Sequence, residues 1–433
     1  MTQSQHDIDS LRATAREHFR ASLEQSSSSA SAAPPPHALA RDAHVDYLLR
    51  GLGALPSSHT TLDASRPWVC YWCVHGLALL GVDLVRDHPA LARDVVEFLK
   101  MCYGTPGAGR RGRGFGGGPG QIAHLATTYA ATCALVTIGS DHAMDAIDRS
   151  EIYEFILDMK DEASGGFRVH DGGEIDPRGC YAALATAHLC GVLDDTLTRG
   201  VGGFMARCQS YEGGIGGEPR GEAHGGYTFC GLAACAFAGD LGALDLVSLE
   251  RWLANRQGDV EGGFNGRTNK LVDGCYSFWQ GGCFPILDRA SDEILRQFIE
   301  QSTECSYGKT KFEMIKSQIS LEPRTMGLCA TTMFPPDPSS ASAAFAGNAL
   351  QGWILDCCQS DNGAGGLRDK PGVGRDHYHT CYCLSGLSVA QHYGRCGAIE
   401  VVGPETNALA KIEPMVNVVE HKYSAWMSRI HER

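Results

Sequence analysis

The sequence predicts an all-α fold, an α-α barrel or toroid of alternating inner and outer helices in about six repeats, and three observations lead there. From Ala43 onward Ala, Leu, Cys and Val recur on one helical face with charges at helix ends, while no stretch sustains the apolar–polar alternation of a half-buried strand. A Gly–apolar pair, a Gly-rich turn and an apolar helix recur at Phe115, Phe167, Ile215, Phe264 and Leu367, spaced 52, 48, 49 and 103 residues apart. The last gap is two periods, so one degenerate repeat is expected inside it. Nine residues after each anchor stand His124, Asp176, His224, Asp273 and Asp376, and Tyr129, Tyr181, Tyr227, Tyr276 and His379 follow three to five residues later.

That shared phase marks the start of an equivalent helix in every repeat. Asp176–Pro177 makes it concrete, because Asp suits the N-cap and Pro the first helical position. Caps prefer Ser, Thr, Asp or Asn, so histidine at two of the five positions is not explained by capping. Inner helices that all start at one rim would gather their N–H groups and positive dipole ends into an anion-friendly surface.

Composition bounds the rest. The 433 residues are 43% hydrophobic and 20% charged, ordinary globular values, and no apolar run approaches the length of a membrane span. The N-terminus lacks the apolar segment of a secretory signal, so a soluble cytoplasmic protein with no transmembrane segment is expected. The 18 cysteines lie scattered through apolar helical stretches and read as small buried hydrophobes in a reducing compartment. A net charge of -13 argues against nucleic acid as a partner. Residues 1–40 read as a disordered or weakly ordered tail, with LEQSSSSASAAPPPH as linker, and residues 41–433 as the barrel domain. A Pro- and Ser-rich surface insertion is expected at 300–345, and EPMVNVVEHKYSAWMSR as a closing helix.

The densest chemistry lies in residues 262–282, GGFNGRTNKLVDGCYSFWQGG, with two cations (Arg267, Lys270), a carboxylate (Asp273), a thiol (Cys275), a phenol (Tyr276) and an indole (Trp279). A helix opening near Asn269 would put Asp273 about one turn in, with Tyr276 on the same face. Asp273 and Cys275 are two apart and share no face of a straight helix, so an irregular helix start is expected there. Carboxylate and thiolate are both zinc ligands but make an incomplete site; His379 in RDHYHTCYC is the candidate third donor.

GGFNGRTNKLVDGCYSFWQ, CQSYEGGIGGEPRGEAHGGYTFCGLAA, GFGGGPGQIAHLATTYAA, RPWVCYW and DKPGVGRDHYHTCYCLSGLSVAQH resemble the protein farnesyltransferase β-subunit family from about residue 60 to 395. The resemblance implies an α-α barrel in a heterodimer with a farnesyltransferase α subunit. It implies Zn²⁺ on Asp273, Cys275 and His379, with a fourth position open to the cysteine thiolate of CaaX-terminated proteins. Farnesyl diphosphate would be the donor, its diphosphate met by the catalytic residues His224, Arg267, Lys270 and Tyr276. The isoprenoid would lie against Arg178, Tyr181, Trp279, Trp68, Tyr129 and Tyr382, and the acceptor peptide against Trp68, Trp72, His124, Ala126 and Tyr378. Asp369 in GLRDKPG resembles a family residue near the diphosphate and would bind Mg²⁺; the alternative is a surface pair with Lys370 or Arg368. Thr127 stands where the family has proline, which leaves preference at the last acceptor residue open. A geranylgeranyltransferase type I β subunit is the nearest alternative, disfavoured by the bulk of Trp68 and the hydroxylated rings of Tyr129 and Tyr382. A non-catalytic toroid is another, opposed by the full metal and cation set.

Overall fold

The protein is described by a computed structural model covering residues 3–27, 35–104, 112–291, 297, 345–360, 363–393 and 401–432. The helices sort by where their apolar residues fall. In α5 (Leu125–Ile138) almost every side chain is apolar or small and buried, the mark of a helix enclosed on all sides. In α4 (Pro89–Met101) the buried residues are Ala92, Val95, Val96 and Leu99, spaced i, i+3, i+4, i+7, so only one stripe faces inward. Leu99 is fully buried, and Leu99→Ala would cost about 2–5 kcal/mol.

Each outer helix precedes an inner one in sequence and packs on it. The pairs are α2 (Arg41–Gly51) with α3 (Arg66–Leu79), α4 with α5, and α6 (Arg149–Met159) with α7 (Pro177–Leu189). They continue with α8 (Val201–Cys208) and α9 (Gly225–Phe237), then α10 (Leu246–Ala254) with α12 (Cys283–Arg289), which follows the short helix α11 (Tyr276–Trp279). In the last pair, α13 (Gly347–Gly352) runs on as a π-helical turn, Trp353–Cys358, and pairs with α14 (His377–His392). Each inner helix packs on the next, and α14 packs on α3, closing the ring.

The nine-residue spacing is a small hairpin between outer and inner helix. Phe115, Ile215, Phe264 and Leu367 each offer a carbonyl to the backbone N–H nine residues on, at His124, His224, Asp273 and Asp376, 3.0–3.2 Å away. The anchor's own N–H goes to a hydroxyl in the inner helix at Thr128, Thr228 and Thr380, 2.9–3.0 Å away. Three of the five hairpins are thereby bonded to the helix they introduce.

Four expectations are corrected. First, α11 packs directly against α14, so among the described residues no degenerate inner helix separates them; the sixth repeat is the first, α2–α3, which lacks the Gly-rich anchor. Second, the supposed tail forms a helix, α1 (Gln3–Ser27), lying on Trp353–Cys358. Leu11 and Ala15 are buried there, Arg12 Nη2 meets Asp259 Oδ1 at 2.6 Å, and Asp356 accepts from Ser22 Oγ and pairs with His37 Nδ1. Third, the C-terminal segment begins as a two-residue hairpin, β1 (Ile412–Glu413) with β2 (Val418–Val419), whose turn contains Asn417 at φ 48°; helix α15 (Glu420–Glu432) follows. Fourth, the helix near Asn269 starts later, as described below. Except for Phe345, the insertion expected at 300–345 lies outside the described residues, as do 28–34 of the expected linker. The 15 cysteines among the described residues are free and buried.

Candidate metal and anion site at the barrel rim

The inner helices begin at one rim, and in four of the five repeats the residue nine after the anchor caps its helix there. Asp176 Oδ1 accepts from the N–H groups of Arg178 and Gly179, and Asp376 Oδ1 from that of His379 at 2.7 Å. The histidines cap as well, contrary to expectation: His124 Nδ1 accepts from Ala126 and His224 Nδ1 from Gly226, at 3.0 and 3.1 Å. A histidine cap differs from an aspartate in what remains, since its Nε2 still points away from the helix end.

The hairpin of the fifth repeat carries the densest group. Asn269 takes φ 60° in the hairpin tip, which no helix accommodates, so α11 starts only at Tyr276, with Asp273 and Cys275 in the irregular turn before it. Asp273 Oδ1 accepts from Cys275 N at 2.8 Å. Two glycines are required here by space. A Cβ on Gly266 would stand 2.1 Å from Tyr276 Cζ, and one on Gly274 would stand 2.6 Å from Cys383 Sγ and 2.8 Å from the Arg368 carbonyl.

From the sixth repeat α14 delivers His379. Ligand atoms of Asp273, Cys275 and His379 lie within 4.8 Å of one another, and His379 Nε2 is 3.3 Å from Asp273 Oδ1. Its other nitrogen, Nδ1, is 2.6 Å from Asp376 Oδ2, the carboxylate support that metal-binding imidazoles have. One carboxylate, one thiol and one imidazole with its ring oriented fit a tetrahedral zinc ion with a fourth position left open. Burial opposes charge on Asp273, but His379 and the Cys275 N–H outweigh it and hold the carboxyl below its ordinary range. Burial likewise opposes charge on His379, and Asp273 and Asp376 outweigh it, raising it to about 10. Burial pushes the Cys275 thiol up.

Beside this cluster His224 Nε2 is 2.9 Å from Tyr276 Oη. Burial, then Arg267, lowers the His224 pKa and favours the neutral ring. With Nδ1 accepting from Gly226, that ring carries its proton on Nε2 and donates to Tyr276, leaving the phenol proton available. Arg267 Nη1 bonds Glu222 Oε2 of the neighbouring hairpin at 2.9 Å, and Lys270 stands exposed at the same tip. Arg178 is held by Asp176 at 2.5 Å and lies 5.4 Å over the Tyr227 ring. Asp369 is not on the surface. Its carbonyl accepts from Gly274 N at 2.7 Å, its Oδ2 pairs with Lys370, and its buried Oδ1 has no partner among the described residues. Burial, then Asp273, raises its pKa.

Below the rim, Trp68, Tyr129, Tyr181, Phe229, Trp279, Tyr382, Tyr378 and Trp72 follow one another in a closed loop of rings, with successive centroids 4.5–5.9 Å apart. Tyr181 Oη donates to Tyr129 Oη, and Trp279 Nε1 to Tyr378 Oη, each at 2.9 Å. The structure thus gathers all the expected lipid-facing residues except Arg178, whose guanidinium is engaged at the rim, and brings Trp72 and Tyr378 into the same loop. His124 faces His170 at 5.3 Å, beside half-buried Ala126; the Thr127 hydroxyl turns back to the Phe115 carbonyl at 2.7 Å. Trp252 and Trp353 are core. Phe229 escaped the sequence reading, although it occupies the phase of Tyr129 and Tyr181, fourteen after its anchor. Asp376 was noted as a cap but not as the support of His379, a relation that its i, i+3 spacing carries.

A toroid with this rim has known counterparts: residues 39–418 match the prenyltransferase alpha-alpha toroid domain. The protein farnesyltransferase subunit beta of Pisum sativum is 44% identical over 83% of this chain and 87% of its own, and that of Arabidopsis thaliana 42% over 89% and 81%. The geranylgeranyl transferase type-1 subunit beta of Arabidopsis thaliana is more distant, at 29% over 62% of this chain and 78% of its own. Candida albicans protein geranylgeranyltransferase-I, solved with GGPP, superposes with a TM-score of 0.64 at 21% identity over 90% of this chain and 99% of its own, a likeness of fold. The chain belongs to the protein farnesyltransferase β-subunit family of prenyltransferases.

Proposed function

We propose that this chain is the catalytic subunit of a zinc-dependent protein farnesyltransferase. In this reading it works as a heterodimer with an α subunit and transfers farnesyl from farnesyl diphosphate to the cysteine of a C-terminal CaaX motif. One observation carries the proposal: consecutive residues serve two adjacent sites, Cys275 in the three-donor cluster and Tyr276 in the imidazole–phenol pair. Asp273, Cys275 and His379 would hold Zn²⁺, which when bound lets a coordinated cysteine exist as thiolate at neutral pH.

The remaining work falls to the chain's own side chains. As the thioether S–C1 bond forms and the C1–O bond breaks, negative charge grows on the departing diphosphate. Tyr276, its oxygen polarised by the His224 proton, donates toward that charge together with Arg267 and Lys270, and stabilises the transition state more than the ground state. The loop of aromatic rings takes the farnesyl tail, whose burial is worth about 0.8 kcal/mol per CH₂. Trp68, wedged between Trp72 and Tyr129, favours C15 over C20. Asp369 Oδ1, without a partner among the described residues, is the kind of oxygen a hard cation takes, so Asp369 would hold Mg²⁺, whose charge would offset the repulsion between this carboxylate and the diphosphate. Among the described residues no helix is long and apolar enough to cross a membrane, and we place the enzyme in the cytoplasm.

The test is co-expression with a farnesyltransferase α subunit, then assay with a CaaX peptide, either diphosphate, and zinc or a chelator. Zinc-dependent farnesylation is expected. No transfer, or a preference for geranylgeranyl, contradicts the proposal.

A further inference from the structure

A carboxylate stands among the cations of the rim, where an anion is expected, so its task is something other than anion binding. Glu222 lies two residues before the His224 cap, and its Oε2 accepts from Arg267 Nη1 at 2.9 Å. That contact is one of three from residues 222–225 to the fifth repeat. His224 Nε2 meets Tyr276 Oη, and the Gly225 N–H donates to the Gly266 carbonyl, each also at 2.9 Å. The amide bond ties the residue before Arg267 to the residue after His224. Tyr276 and Arg267, both proposed donors to the diphosphate, are therefore held against the same short segment.

Glu222 and Arg267 are 54% and 40% exposed, so the pair is solvated and adds little to stability. The negative charge of Glu222 also works against a diphosphate approaching the same guanidinium. What the pair supplies is direction. Arg267 opens the tip turn, its carbonyl accepting from Lys270 N at 3.3 Å with Asn269 left-handed inside, and a long side chain there has many rotamers to lose. A planar fork held at one corner by Glu222 points its remaining N–H donors along a defined line. The backbone beneath is anchored separately: Thr268 Oγ1 donates to Glu212 Oε1 at 3.2 Å and accepts from buried Arg256 Nη1 at 2.9 Å. Those bonds set the turn, and Glu222 is left to set the guanidinium.

We propose that Glu222 is a positioning residue for the transfer step: it aims the Arg267 guanidinium at the departing diphosphate and touches no substrate itself. This rests on Arg267 meeting the diphosphate, as the proposed function has it. The consequence separates binding from rate. Removing the carboxylate takes a negative charge from the anion site, so ground-state affinity does not fall. Arg267 meanwhile loses an orientation that counts most where the leaving charge develops.

The test uses the heterodimer, single-turnover farnesylation of a CaaX peptide, and the dissociation constant of a non-hydrolysable farnesyl diphosphate analogue. Glu222→Ala should slow transfer about tenfold or more, while the analogue binds at least as tightly as before and the melting temperature holds. Glu222→Gln keeps an oxygen that accepts from Arg267 and should return the rate to within about threefold of the unaltered enzyme. In an Arg267→Ala background, Glu222→Ala should slow nothing further, because no guanidinium remains to aim. An unchanged rate in Glu222→Ala, or an equal slowing with and without Arg267, overturns the proposal. A joint loss of affinity and melting temperature overturns it too, marking the pair as structural. If the unaltered heterodimer transfers no farnesyl, the reading of the site falls and this falls with it.

Discussion

The two ends of the barrel are made differently. The rim is built from one slot used five times, nine residues after each anchor, and its chemistry changes by substitution within that slot: aspartate at 176, 273 and 376, histidine at 124 and 224. The other end, closed by hydrogen bonds among Tyr71, His75, Tyr129, Ser385 and the Val416–Asn417 turn, is assembled once, from residues separated by up to 346 positions. The rim leaves charge and donors available, whereas the closed end consumes most of its polar groups internally. A repeat protein can therefore vary chemistry at one end while holding shape at the other.

Substitutions can break this comparison at either end. The largest effect is expected from Asp376→Asn, because the amide still caps α14 but no longer carries the negative charge that orients His379. Zinc affinity by chelator competition should fall about 10–100-fold with the fold unchanged. Unaltered affinity would mean His379 is held by packing alone.

Next comes Trp68→Thr, in the wall between the two ends. Removing the indole opens space for the C20 chain, and the ratio of kcat/KM for geranylgeranyl over farnesyl diphosphate should rise at least about tenfold, given about 0.8 kcal/mol per CH₂ newly buried. A fixed ratio would show that Trp68 does not set chain length. Smaller again is Asp369→Lys, which puts a permanent cation where Mg²⁺ is proposed. Single-turnover rates across a magnesium titration should rise for the unaltered enzyme and stay flat for the variant; a flat profile in both would remove the metal from Asp369.

The smallest effect is expected outside the ring of inner helices, at the His37–Asp356 pair that Ser22 of α1 joins. Its hydrogen bond to Asp356 raises His37 above the ordinary 6.5, so the stabilisation is complete below that value and lost as pH rises through the raised one. Asp356→Asn should therefore lower the melting temperature at about pH 6 and much less at about pH 9. A pH-independent difference would show that the charge on His37 plays no part.

How much was legible in sequence follows the same division. The rim is written locally, so the nine-residue phase marks four of the five helix starts, and Asp273, Cys275 and His379 are legible as metal donors from residue type and motif. The helix start near Asn269 was misjudged because composition does not reveal a residue at positive φ. Histidine capping was dismissed because cap preferences describe short oxygen side chains, not an imidazole that reaches its own helix end. Helix α1 carried its signal in Leu11, Ala15 and Ser22 on one face, masked by the Ser- and Pro-rich stretch beyond it. The closed end left no local trace, since nothing around Asn417 announces a partner at His75.

The central claim is that metal cluster and diphosphate site are adjacent but separable, Cys275 belonging to one and Tyr276 to the other. The most direct test is one chelator titration of the heterodimer, following peptide transfer and isoprenoid diphosphate affinity in parallel. The account predicts that zinc removal abolishes transfer and leaves that affinity within about threefold, because His224, Arg267, Lys270 and Tyr276 supply it without the metal. Loss of both together, along a single titration curve, would contradict it.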